Sequence, residues 1–125
     1  MTRRLAGLFA VPAIALMSVA LMSVTGCGSE ADAPADLGVV IDVRISGGTV
    51  TPSNERIDAT VGRPVAVRVD SDADDELHVH AVPEKSFEIR PGAGQEFRFT
   101  VDVPGQVTLE LHETGTTVAT LLVRP

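Results

Sequence analysis

From Gly38 onward the chain alternates between apolar and polar positions. Val39, Ile41, Val43 and Ile45 interleave with Val40, Asp42 and Arg44, a period of two that puts one set on each face of a strand. Gly47-Gly48 then predicts a hairpin turn. Positions 56–61 give a short strand that Gly62 stops. Val65, Val67 and Val69 alternate with Ala66, Arg68 and Asp70. Residues 71–76 read as an acidic loop, 77–82 as a strand ended by Pro83, and 87–89 as a short strand before Pro91-Gly92. Phe97, Phe99 and Val101 alternate with Arg98 and Thr100; after Pro104-Gly105, Val107, Leu109 and Leu111 alternate with Thr108, Glu110 and His112. Residues 114–117 turn the chain into a last strand at 118–123. Short β-branched strands with turn signals every ~8–12 residues, and no helical period, predict an all-β sandwich of seven to eight strands.

The first 37 residues follow a different pattern. Arg3 and Arg4 precede an apolar run from Leu5 to Val24, and Thr25-Gly26-Cys27 follows. This is the layout of a secretory signal: basic start, apolar stretch, small-residue cleavage site. A cysteine directly after the small residues resembles the lipobox of bacterial lipoproteins. The resemblance implies cleavage before Cys27 and a diacylglycerol thioether on its sulfur. The chain then divides into a signal peptide at 1–26, a lipidated Cys27 with an acidic, Pro-containing tether at 27–37, and a folded domain at 38–125. An uncleaved anchor helix also fits, because ~20 apolar residues span a bilayer. So does an ordinary cleaved signal with an incidental cysteine. Cys27 is the only cysteine, so no disulfide forms within the chain.

The part beginning at Cys27 carries all 17 acidic residues and eight of the ten basic ones, a net charge of −9. A field of that sign excludes nucleic acid as a partner and is repelled by anionic lipid. This part has no Trp, Tyr or Met; its aromatic residues are Phe87, Phe97 and Phe99. Aromatic stacking of ligands or sugars is therefore not expected.

The order of features from Arg63 to Pro125 carries a second resemblance. Gly62-Arg63-Pro64-Val65 opens a strand, an acidic loop precedes His78-Val79-His80, and a Phe-rich strand leads to Val103-Pro104-Gly105 and two final strands. This order resembles the cupredoxin-like Greek-key sandwich, and the resemblance implies that fold. In that family Pro-Gly opens the strand bearing the copper cysteine. Here that position falls on Leu111, no methionine remains for the axial place, and His112 comes too early for the second histidine. A blue-copper site needs a thiolate, two imidazoles and usually a weak axial ligand. The chain departs from that set, which argues against type 1 copper electron transfer.

Three histidines remain as candidate chemistry. His78 and His80 share one strand face, and His112 is the one histidine left to complete a three-imidazole site for Cu²⁺ or Zn²⁺. Asp75, Glu76, Glu110 and Glu113 are candidate outer or extra ligands. A simpler reading competes: Leu77, Val79 and Ala81 form the apolar face, so His78 and His80 point to solvent, and His112 shares parity with Thr108 and Glu110. Asp70, Asp72, Asp74, Asp75 and Glu76 lack the central Gly and twelfth-position Glu of a calcium loop. No Gly-X-Ser-X-Gly, phosphate loop or paired nucleophile and base is present.

The sequence thus predicts a non-enzymatic, monomeric lipoprotein, held by Cys27 on the extracytoplasmic side of the cell membrane. Its sandwich would act as a binding module for another envelope protein, without a cofactor. The alternative is copper or zinc handling through His78, His80 and His112.

Overall fold

The computed structural model describes residues 38–125. The signal peptide, Cys27 and the tether lie outside the described residues. Nine strands build two sheets: β1 (Val39–Ser46), β2 (Thr49–Thr51), β3 (Glu55–Thr60), β4 (Val65–Ser71), β5 (Asp75–Val79), β6 (Lys85–Ile89), β7 (Gly92–Phe99), β8 (Gly105–Leu111) and β9 (Thr116–Arg124). One sheet has the order β2-β1-β4-β7 and the other β3-β9-β8-β5-β6. No helix among the described residues is long and apolar enough to cross a membrane.

The alternation explains the core. In the parallel pair β1 and β4, Ile41 lies beside Val67 and Val43 beside Val69, all buried. The inward residues of the second sheet, Leu77, Val79, Leu109, Leu111 and Leu121, are fully enclosed and join them in one cluster. Leu77 pairs directly with Leu111. Each such side chain stabilises the fold by about 1.5–3 kcal/mol through its removal from water. At the open side of the sandwich Phe87 stacks on Phe97, with ring centroids 5.3 Å apart, and meets Phe99 at 6.3 Å. These three rings join the edge strands β6 and β7.

The expected sandwich is present, with differences at several boundaries. The hairpin after Gly47-Gly48, both at positive φ, has its own short return strand, β2. The strand expected from Phe97 starts at Gly92. Its first residues are held by side chains: Asp70 accepts from the Gly94 amide at 2.8 Å, and Gln95 accepts from the Arg90 amide at 3.0 Å. A bulge shifts the register where Leu109 pairs with Ala119 but Glu110 pairs with Thr117. The extra residue lets Val118 and Ala119 both enter the core, which strict alternation forbids.

The acidic loop is also shorter than its composition predicts. Strand β4 runs through Ser71 and β5 begins at Asp75, leaving only 72–74 between them. Asp75 is buried, and its Oδ1 accepts from the amides of Glu76 at 2.7 Å and Glu113 at 2.9 Å. Asp72 accepts from the Gly47 amide. The carboxylates of this run therefore serve backbone amides at the turns and at the start of β5.

Candidate metal centre

Strand β5 is the central carrier of the site. It lies between β6 and β8, with His78 opposite Ser86 on one side and Glu110 on the other. Leu77 and Val79 point into the core, so Glu76, His78 and His80 project from the outer face of the five-stranded sheet. The polar-face reading of the histidines is thus the geometry found. His80 lies just past the end of β5, yet its amide still donates to the Thr108 carbonyl at 2.9 Å. His112 lies just past β8 and is held likewise, its amide donating to the Glu76 carbonyl at 2.9 Å.

Regular pairing thus gathers all three histidines on one face. The ring centroids of His78 and His80 are 6.2 Å apart, and those of His78 and His112 are 5.1 Å apart. The rings of His78 and His112 lie 12° from parallel, one stacked on the other. Stacked rings hold their nitrogen lone pairs in separate planes. They support one another more readily than they converge on one ion.

The third converging group is Glu84. Among the described residues, His78, His80 and Glu84 form a group whose ligand atoms all lie within 4.8 Å of one another. The turn 80–84, with its cis Val82-Pro83 peptide, carries Glu84 back beside the strand it follows. Glu84 Oε1 stands 3.6 Å from His80 Nδ1 and 3.9 Å from His78 Nδ1. The other nitrogen of each ring faces a different carboxylate: His78 Nε2 meets Glu76 Oε1, and His80 Nε2 lies 3.4 Å from Glu110 Oε2.

Sequence reasoning placed Glu76 and Glu110 beside the histidines and missed Glu84. Its position after a proline, outside any alternating run, gave no sign of its direction. Glu113 and Asp75 belong to the amide-binding turn, through Glu113 N and Asp75 Oδ1. Leu111, where a copper cysteine would stand in the family resemblance, is fully buried among core hydrocarbon. A cavity of about 640 Å³ lies elsewhere, between β6 and β7; residues such as Pro64, Lys85, Phe87 and Phe99 line it, with no imidazole or carboxylate.

Two imidazoles and one carboxylate suit a borderline divalent ion. Zn²⁺ takes N and O ligands, with three protein ligands leaving one position open, and imidazole also suits Cu²⁺. A thiolate or thioether, which Cu⁺ prefers, is absent from residues 38–125. His78 is a quarter exposed by its side chain, and His80 and Glu84 are more open still. Such a site is reachable from solvent on one side.

No family model matches the chain, and no curated protein matches it. Solved structures do. The blue copper oxidase from Nitrosomonas europaea superposes with a TM-score of 0.55 at 15% identity, over 70% of this chain and 44% of that one. The copper nitrite reductase from the same organism gives 0.52 at 17% identity, over 69% and 41%. Fet3p, a multicopper oxidase that functions in iron import, gives 0.54 at 13% identity, over 69% and 23%. The chain therefore spans less than half the length of each. At these identities the likeness concerns the fold: an all-β, cupredoxin-like sandwich.

Proposed function

We propose that this protein is a membrane-attached, non-enzymatic metal-binding module of the cell envelope. Its sandwich holds a divalent transition metal, Zn²⁺ or Cu²⁺, on the outer sheet face. The observation that carries this reading is the convergence of His78, His80 and Glu84. The copper-protein company of the fold is consistent with it. Cys27, in its lipobox-like setting, is the lipid attachment point, and the extracytoplasmic face of the membrane is the location. The reading adds Glu84 to the histidine pair and gives His112 a supporting place.

Metal held by the folded state alone raises its stability by mass action. At a hundredfold excess over Kd the gain is ~2.7 kcal/mol, which for a domain of this size moves Tm by roughly 10–20 °C. The test is a thermal melt of the full chain in detergent, with and without saturating Zn²⁺ or Cu²⁺. A rise that vanishes in a His80→Ala/Glu84→Gln double variant supports the site. An unmoved melt of the unsubstituted protein sinks it, and the domain is then an interaction module only. Loss of the membrane fraction in Cys27→Ser tests the anchor separately.

A further inference from the structure

We infer that the ion is held through Nδ1 of both His78 and His80, and that Glu76 and Glu110 are positioning residues acting on the two Nε2 atoms. The inference rests on the metal reading above and assigns its ligating atoms. Three observations carry it.

The first is access. His78 Nε2 is closed off from solvent, and Glu76 Oε1 occupies the space in front of it. An ion cannot approach that atom without displacing Glu76. Nδ1 of the same ring is turned toward Glu84.

The second is spacing. Ligands at Zn–N and Zn–O distances of ~2.0–2.1 Å around a tetrahedral ion stand about 3.3 Å from one another. Glu84 Oε1 lies 3.6 Å from His80 Nδ1 and 3.9 Å from His78 Nδ1. Both separations exceed an ordinary N–H···O contact of ~2.9–3.0 Å. They leave room for an ion, and among the described residues Glu84 Oε1 faces a nitrogen of both rings, whereas Glu110 Oε2, 3.4 Å from His80 Nε2, faces one ring alone.

The third is the far side of each ring. A metal-binding histidine usually donates its other N–H to a carboxylate or carbonyl, which fixes the tautomer and makes the ligating nitrogen more basic. Glu110 stands 3.4 Å from His80 Nε2, about 0.4 Å beyond a standard hydrogen bond. Glu76 Oε1 touches His78 Nε2 without the alignment of a hydrogen bond, and a small turn of either side chain completes one. Each ring is thus bracketed in the same sense, Glu84 on Nδ1 and a second carboxylate on Nε2. Register explains the pattern: His78 is flanked by Glu76 two residues earlier on its own strand, and Glu110 pairs across from His78, within reach of His80.

The experiment is nitrogen-15 NMR of the histidine-labelled full chain in detergent, titrated with Zn²⁺ and read through long-range proton–nitrogen correlations. The expected result is that Nδ1 of His78 and His80 moves on Zn²⁺ addition while each Nε2 keeps its proton. Ligation at Nε2 with Nδ1 protonated overturns this assignment and leaves the metal site standing. No change at either nitrogen overturns the metal reading itself. Calorimetry with Zn²⁺ tests the positioning roles: Glu76→Ala and Glu110→Ala each weaken binding about 10- to 100-fold, the range for outer carboxylates. Glu110→Gln, whose amide oxygen offers Nε2 an acceptor in the same place, recovers most of that loss. Unchanged affinity in both alanine variants removes Glu76 and Glu110 from the site.

Discussion

The imidazole of His112 lies flat on that of His78, with centroids 5.1 Å apart and planes within 12°. The contact exists because β5 and β8 pair in a register that sets Leu77 against Leu111, so the outward residues beside them fall on one side. A stacked partner limits how far the His78 ring can turn. That makes His112 a support for the ring whose nitrogen faces Glu84.

This relationship separates His112 from the converging group. His112→Ala is expected to weaken Zn²⁺ binding by no more than about 10-fold, the lower end for groups outside the ligand set. His80→Ala or Glu84→Ala is expected to cost more than about 100-fold. Calorimetric titration of the three variants checks the order. An effect of His112→Ala as large as that of His80→Ala would make it a ligand.

Asp75 holds two backbone amides with one oxygen, and its Oδ2 is buried without a hydrogen-bond partner. Removing the carboxylate leaves the amides of Glu76 and Glu113 without their acceptor. Asp75→Ala is therefore expected to destabilise the domain by about 1–3 kcal/mol. Asp75→Asn keeps an acceptor oxygen and should cost less. Urea midpoints of the two variants measure the difference; equal losses would mean that the charge, and not the acceptor, is what matters.

On the outer face of the four-stranded sheet, Glu96 lies between Arg68 and Arg98 and accepts from both guanidiniums. The hydrogen bonds from Arg68 and then Arg98 hold its carboxyl below the ordinary glutamate range. A carboxylate more acidic in the folded chain binds its proton less readily there than when unfolded. Its stabilising contribution is therefore complete above the unfolded value of ~4.3 and is lost as pH falls through the lower, folded one. Glu96→Gln is expected to flatten the acid limb of the stability profile and leave its slope near neutrality alone. Denaturant melts across the acid range test this; an unchanged acid limb would refute it.

Leu111 is fully buried against Leu77. Leu111→Ala leaves a cavity between the sheets and is expected to cost about 2–5 kcal/mol. The same substitution should leave Zn²⁺ affinity within a few-fold, since the histidines stand on the opposite face. Melting with and without Zn²⁺ reads both effects, and a loss of the Zn²⁺ shift in a still-folded variant would tie the site to the core.

Much of this was legible from alternation. Leu77, Val79, Leu109 and Leu111 announced an inner face, and the outward side of His78, His80 and His112 followed from it. What escaped has local causes. Asp75 sits in a run of acids, and pattern does not distinguish the buried one whose oxygen holds two backbone amides. Val118 and Ala119 enter the core together only because a bulge permits it. Glu84 follows Pro83 in a turn, and its direction depends on backbone angles that residue types alone do not specify. The gathering of the histidines depended on β5 lying next to β8, a neighbour relation that no single strand encodes.

That neighbour relation has a counterpart at the far side of the same sheet. Strand β9 lies between β8 and β3, and it meets β3 in parallel, Glu55 against Ala119 through Thr60 against Arg124. The edge strand β3 thus waits on a segment some sixty residues downstream for its ladder. Loop-closure entropy must be overcome before such distant contacts return anything, so this topology folds slowly and late. Until Thr116–Arg124 is in place, β3 has no neighbour in its sheet, and β8 lacks its partner on that side. A chain interrupted before that point would hold the histidine strand between β6 and β8, and still lack the strand that ties β3 to their sheet.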